Sequence, residues 1–224
     1  MIEIKDISKK YGRHQILDNV SLTIHEGECI GIVGANGSGK TTLLSIISGI
    51  KKPDKGNILA DGMVISDSSG TISKYISYVP QENPLINELT AMDNLRLWYS
   101  GSRHELQNEL DNGVLKLLGI NEFTGKTVSK LSGGMKKRLS IGIALLEKPS
   151  LLIMDEPSAA LDLAGKYRIK DYMKQYTSKM NGSILVVSHD QNELSVCDKL
   201  YLLKNGQLNQ INSNLNDSEL INLL

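Results

Sequence analysis

Three short stretches stand out by residue type and spacing. The first is Gly34-Ala35-Asn36-Gly37-Ser38-Gly39-Lys40-Thr41-Thr42, placed between the apolar run Cys29-Ile30-Gly31-Ile32-Val33 and Leu43, Leu44, Ile46 and Ile47 at helical spacing. A buried strand, a glycine-rich turn and a helix opening at Lys40-Thr41 make a phosphate-binding loop, or P-loop. Its glycines let consecutive backbone N–H groups converge on phosphate oxygens, and the helix N-terminus adds partial positive charge. Lys40 is placed to reach the terminal phosphates of a nucleoside triphosphate, and the Thr41 hydroxyl to hold Mg²⁺. The bland alternative, a loop that merely joins strand to helix, is disfavoured because every fixed position is met in the right context.

The second stretch is Asp155-Glu156, directly after Leu151-Leu152-Ile153-Met154. Adjacent carboxylates at a strand end can divide their duties, one holding a metal and the other orienting or deprotonating a water. Alone this is an ordinary strand end. Beside a P-loop it gains meaning, because Mg²⁺ between the β- and γ-phosphates calls for an acidic ligand from a second strand. The third stretch, Leu131-Ser132-Gly133-Gly134-Met135-Lys136-Lys137-Arg138, opens another helix. Ser132 can cap it, and the glycines permit an anion close to its N-terminus. The bland reading is a capped helix with a solvated basic face.

The elements that must position these residues follow from periodicity. Ile2, Ile4 and Ile7, then Val20, Leu22 and Ile24, mark two half-buried strands. Between them Tyr11 is able to stack on a base or to pack at a strand end. Asp61-Gly62 reads as a hairpin between strands near Ile58 and Val64, and Tyr75–Val79 as a strand closed by Pro80-Gln81. From about Leu89 to Leu146 the pattern is helical, with Leu106, Leu110, Val114, Leu117 and Leu118 on one expected face and Trp98 expected in the core. Residues about 88–148 thus read as a helical subdomain inserted into a single 1–224 domain. Beyond it, Tyr167, Ile169, Tyr172, Met173, Tyr176 and Met180 line one helical face, and Ile184–Val187 is a buried strand ending at Ser188-His189. Asp190 and Glu193 are spaced for a capping box, Lys204-Asn205-Gly206 for a hairpin, and residues 212–224 for a polar link and a short amphipathic helix. Alternating strands and helices around a P-loop imply an α/β fold with a mostly parallel sheet covered by helices. The loops at Gly34, Gln81, Asp155 and His189 would then open on one sheet edge.

With 25 basic and 25 acidic residues, no global field favours nucleic acid or an anionic membrane. Two cysteines argue against a disulfide framework and for a reducing cytosol. Neither a secretion signal nor a run of about 18 apolar residues is present, so any membrane role is expected to come through a partner.

The set Tyr11, GANGSGKT at 34–41, Gln81, LSGGM at 131–135, LLIMDEP at 151–157, SAALD at 158–162 and His189 resembles the nucleotide-binding subunit of ABC transporters, of the bacterial ABC-2 or drug-export type. The motifs occur in the family's order and span almost the whole chain. The resemblance implies a P-loop NTPase core with an N-terminal antiparallel β subdomain and the inserted helical subdomain. It implies ATP and Mg²⁺ as ligands and ATP hydrolysis as the activity. Tyr11 would stack on adenine, and Gly34, Ala35, Asn36, Gly37, Ser38, Gly39, Lys40, Thr41 and Thr42 would cradle the phosphates. Thr41, Gln81 and Asp155 would serve the metal, Glu156 would be the general base, Gln81 would also contact the attacking water, and His189 would contact the γ-phosphate. Ser132, Gly133 and Gly134 would complete the ATP site of a second subunit in a homodimer or heterodimer. The helical subdomain would dock on a separate transmembrane permease, placing the chain in the cytoplasm on the inner face of the cell membrane. Two positions depart from the commoner pattern. Met135 replaces Gln, a form that resembles exporters, and Ala159 replaces Ser, which would weaken one cross-interface hydrogen bond by on the order of 1 kcal/mol without abolishing activity. The rival readings are a non-transport ABC ATPase in assembly or nucleic-acid maintenance, disfavoured by a single uninterrupted cassette, and a regulatory ATP-binding module, disfavoured by Glu156 and His189.

Overall fold

A computed structural model describes residues 1–213 apart from Asp67 and Ala160; the amphipathic helix expected near the C-terminus lies outside the described residues. Among the described residues, ten strands run in chain order as β1 (Ile2–Tyr11), β2 (His14–Ile24), β3 (Cys29–Val33), β4 (Lys55–Ala60), β5 (Met63–Val64), β6 (Ile76–Val79), β7 (Leu151–Asp155), β8 (Ser183–Val187), β9 (Lys199–Lys204) and β10 (Gln207–Ile211). The α-helices are α1 (Lys40–Ile47), α2 (Ser69–Ile72), α3 (Ala91–Trp98), α4 (Arg103–Asp111), α5 (Val114–Leu117), α6 (Gly133–Leu146), α7 (Leu163–Met180) and α8 (Gln191–Leu194). Between β6 and β7, the described residues form helices and loops, apart from a single bridge joining Thr90 to Thr127.

Strands β2-β1-β4-β5 form an antiparallel sheet, and β10-β9-β3-β8-β7-β6 a second sheet that is parallel except for the β9–β10 hairpin. In β3, β7 and β8 every residue is buried, which explains why they read as unbroken apolar runs. Their side chains still alternate between two cores. Ile30, Ile32, Ile153 and Leu185 join α1 and the antiparallel sheet, whereas Cys29, Val33, Leu152, Met154 and Val186 join α6, α7 and the helices after β6. Cys29 and Cys197 meet on the second side as free thiols, their sulfurs 3.5 Å apart. No helix among the described residues is long and apolar enough to cross a membrane.

Four sequence expectations need correction. Trp98 is 53 % exposed at the last residue of α3, where it borders a hollow with Leu85 and Ile143 instead of entering the core. The expected continuous face through Leu117 breaks at Gly113, where α4 ends and α5 begins; Leu115 turns inward and Leu117 outward. On α7, Ile169, Tyr172, Met173 and Tyr176 are buried, but Tyr167, its fifth residue, and Met180, its last, are exposed. The Asp190–Glu193 capping box does not form: the Asp190 N–H goes to Ser188 Oγ at 2.9 Å, and Glu193 turns into the interior. The two-residue turn Asn205-Gly206 does form as expected, both residues having positive φ.

Gly31, in the middle of β3, shows how closely the sheet is covered. A Cβ there would lie 2.5 Å from Leu200 Cδ2 and 3.1 Å from both Cys197 Sγ and Leu194 Cδ2. Gly31→Val is expected to lower unfolding stability by about 1–3 kcal/mol through overpacking. Denaturant titration measures this, and an unchanged midpoint would mean that the space opens freely.

Candidate nucleotide-binding site

Parallel pairing sets β3, β8, β7 and β6 side by side with their carboxyl ends together. The loops leaving those ends carry the P-loop, His189, the Asp155-Glu156 pair and Gln81. Tyr11, Asn36, Gly37, Gly39, Lys40, Thr41, Thr42, Gln81, Asp155, Glu156 and His189 line one cleft of about 420 Å³. Gly34, Ala35 and Ser38 complete the turn behind it.

The P-loop geometry depends on glycine at Gly37, whose φ is 81°, and at Gly39 and Gly34. Gly39 has φ 106°, and a Cβ would meet Ile16 Cγ2 at 2.9 Å. At Gly34 a Cβ would fall 2.6 Å from the Leu203 carbonyl oxygen and 2.7 Å from Ser38 Oγ. That Ser38 hydroxyl is buried with no hydrogen-bond partner, a donor left for an oxygen anion in the loop. Lys40 curls back so that Nζ donates to the carbonyls of Gly34 at 2.5 Å and Ala35 at 3.0 Å. Burial lowers its pKa, and the charges of Glu156 and Asp155 work against that shift.

Across the cleft, Asp155 Oδ2 accepts from Tyr78 Oη at 3.2 Å and from Thr41 Oγ1 at 3.5 Å. Burial raises the Asp155 pKa, while Tyr78, Thr41, Lys40 and Lys137 oppose the rise. A hydroxyl and a carboxylate oxygen converging in this way fit a hard divalent cation such as Mg²⁺, which takes few protein ligands and the rest from phosphate and water. Among the described residues no cluster of three or more His, Cys, Asp and Glu offers a dedicated metal cage. Glu156 adopts φ 46°, a left-handed conformation that costs a non-glycine residue about 1–3 kcal/mol. Its N–H bonds Val187 O at 2.8 Å and its carbonyl accepts from Ala159 N–H at 3.1 Å, so the turn is fixed from both sides. The carboxylate consequently faces His189, Oε1 to Nε2 at 3.4 Å. Burial raises the Glu156 pKa, with His189 tempering the effect.

Tyr11 stands exposed at the cleft's outer edge. Lys51 Nζ donates to its hydroxyl at 3.1 Å and lies 5.4 Å from the ring centroid. Ser132, Gly133 and Gly134 are not in this cleft; they line a separate hollow with Met135, Arg138, Leu161, Asp162 and Arg168. Ser132 Oγ caps α6 by accepting from Met135 N–H at 3.3 Å, as its sequence position suggests. Asp162 caps α7, accepting from Gly165 N–H at 2.7 Å.

Sequence reasoning missed Tyr78 and Lys137. Tyr78 carried no signal beyond its place in β6. Lys137 did carry one: with Ser140, Ile141 and Leu145 it starts the buried i, i+3, i+4, i+8 stripe of α6.

Comparison with known proteins identifies the family. The profile of the ABC transporter family matches residues 17–159. The chain is 35 % identical over 211 residues to the linearmycin resistance ATP-binding protein of Bacillus subtilis, covering 93 % of this chain and 68 % of that one. It is 33 % identical over 215 residues to a probable sulfate/thiosulfate import ATP-binding protein of Chlorella vulgaris, covering 95 % and 91 % respectively. In structure it is similar to a dimeric ATP-binding cassette in a post-hydrolysis state bound to ADP and Pi, with TM-score 0.82, 30 % identity, and coverage of 96 % of this chain and all of that one. The chain belongs to the ABC transporter family, as an ATP-binding subunit whose ATP hydrolysis is coupled to transport.

Proposed function

We propose that the cleft between the P-loop and Asp155-Glu156 carries out Mg²⁺-dependent hydrolysis of ATP, with the work divided among its residues as follows. The observation that carries this reading is the convergence of Lys40, Thr41, Gln81, Asp155, Glu156 and His189 on one cleft. Tyr11 offers its ring to adenine, and Gly34 to Thr42 wrap the phosphates, with Lys40 on the β- and γ-phosphates. Thr41 and Asp155 would hold Mg²⁺, helped by Gln81. When bound, the metal neutralises charge on the β- and γ-phosphate oxygens. Glu156 takes a proton from the attacking water, and the raised pKa that burial gives it makes it a better acceptor. His189, beside Glu156, contacts the γ-phosphate.

The chain is one cassette domain in which residues about 88–148 form the helical subdomain. Ser132, Gly133 and Gly134 face a hollow of their own, which supports a dimer in which each copy's glycines close over the other's P-loop. The similar dimeric cassette points the same way. Exposed Trp98 and Leu97 on α3 support docking of the helical subdomain on a separate permease, which holds the chain at the cytoplasmic face of the membrane. Met135, together with the likeness to a linearmycin resistance protein, supports export as the direction.

Four measurements test this. Glu156→Gln should retain ATP binding while phosphate release falls roughly 10²–10⁴-fold. In the unaltered protein, kcat should decline on the acid side at a pH above the usual glutamate range, since a raised pKa protonates the base earlier. Near-normal turnover in the variant would remove Glu156 from the role. Lys40→Ala should lose tight ATP binding by calorimetry, and unchanged affinity would refute its phosphate contact. Finally, affinity purification from detergent-solubilised membranes should recover a transmembrane protein with the chain, and recovering it without one would count against the permease partner.

A further inference from the structure

Lys137 is 2 % exposed, on the inward stripe of α6 and five residues after the helix cap Ser132. A buried ammonium is costly unless it is paired or hydrogen-bonded. Here Nζ donates to two main-chain carbonyls, of Pro80 at 3.0 Å and of Gln81 at 2.9 Å. These residues follow the end of β6 directly and lie more than 50 positions away in sequence. Burial lowers the Lys137 pKa, opposed by the carboxylates of Asp155 on β7 and Glu193 on α8. Glu193 is fully buried. Its oxygens meet no donor at hydrogen-bonding geometry, although Ser188 and Ser158 are close enough to temper a pKa that burial pushes up to about 7. The ammonium thus sits where α6, the loop after β6 and the two carboxylate-bearing elements meet.

We propose that Lys137 is a positioning residue for Gln81: by gripping the Pro80 and Gln81 carbonyls it fixes where the Gln81 amide enters the nucleotide cleft. This rests on reading Gln81 as a contact of the metal and attacking water. The grip is on main chain, so it acts whatever the side chain at position 81 does. Ser132, at the other end of the same helical turn and a half, borders the hollow assigned to a second subunit's nucleotide. Any displacement of α6 therefore drags the Gln81 backbone with it. A neutral apolar residue of similar length would leave both carbonyls without their donor and free the loop to shift.

The test is a double-mutant cycle in the purified full chain, reading kcat and the Mg²⁺ concentration for half-maximal ATPase. Lys137→Met alone should lower kcat roughly 10–100-fold, the scale of an ångström-level misplacement, and raise the Mg²⁺ requirement. Metal-free ATP affinity should stay within about threefold, since the P-loop is untouched. Added to Gln81→Ala, the same substitution should cost little more, because two residues acting as one unit are not additive. Should Lys137→Met fail to fold, Lys137→Gln, which keeps an N–H donor on a shorter stem, takes its place with a smaller loss expected. Additive losses, or wild-type kcat and Mg²⁺ dependence in the lysine variant, would overturn the inference. If Gln81→Ala itself leaves both quantities unchanged, the reading of Gln81 fails and takes the inference with it.

Discussion

A nucleoside triphosphate is a polyanion, and this cleft already contains two carboxylates. That conflict of charge is the constraint from which the rest of the site follows. Asp155 is buried and Glu156 partly so, and burial alone drives both toward the neutral form. Lys40 is the cation inside the loop, and the opening of α1 adds aligned backbone N–H groups. Helix N-terminus, Lys40 and a divalent cation together can offset phosphates and carboxylates; any one of them falls short at the low effective dielectric of a cleft. Hence the chemistry requires Thr41 and Asp155 to face each other, and hence the P-loop strand and the acidic strand must lie in one sheet.

The sheet meets that requirement by its order. β8 lies between β3 and β7, so the P-loop and Asp155-Glu156 leave strands two apart, with His189 leaving the strand between them. That spacing leaves the cleft of about 420 Å³, with His189 among its lining residues. Gln81 comes from β6, beyond β7, and so approaches from the far side. The strained φ of Glu156 belongs to the same design. A carboxylate at a strand end would continue along the strand, and the left-handed turn, held by Val187 and Ala159, directs it toward His189 instead. Strain of this kind persists only where neighbouring bonds over-determine it.

Local chemistry made most of this legible in the sequence. The P-loop is one continuous segment, and its glycines, Lys40 and Thr41 act at positions their own neighbours define. The apolar runs within β3, β7 and β8 announced a sheet covered on both faces, and from parallel strands the shared edge follows. What escaped reading depends on partners distant in the chain. Tyr78 reaches Asp155 across 77 positions and Lys137 reaches Gln81 across 56. Neither has a local pattern that names its partner. Periodicity also overstated burial: Trp98, Leu117 and Met180 sit at element ends, where the helix turns away from the core or stops, and Tyr167, the fifth residue of α7, faces outward as well. The Asp190–Glu193 spacing failed for a different reason. Ser188 offered the Asp190 N–H a closer acceptor, and α8 spans only four residues.

α6 connects these observations. Its first residues border the hollow that lacks a P-loop of its own, and its first inward side chain is a cation reaching the loop of Gln81. Side chains at i and i+4 or i+5 on one helix cannot move independently, because the hydrogen-bonded backbone between them is stiff. A ligand contact at Ser132 to Gly134, as proposed for another copy's nucleotide, would thus act on the same rigid body that grips Gln81. Coupling of this type needs no long chain of intermediates; it needs a helix with two differently occupied ends and a buried charge that is costly to leave unpaired. The field of Lys137 also reaches Asp155, so a shift of α6 alters the charge balance of the cleft along with its geometry. Both effects bear on the place where carboxylates and phosphates must be reconciled.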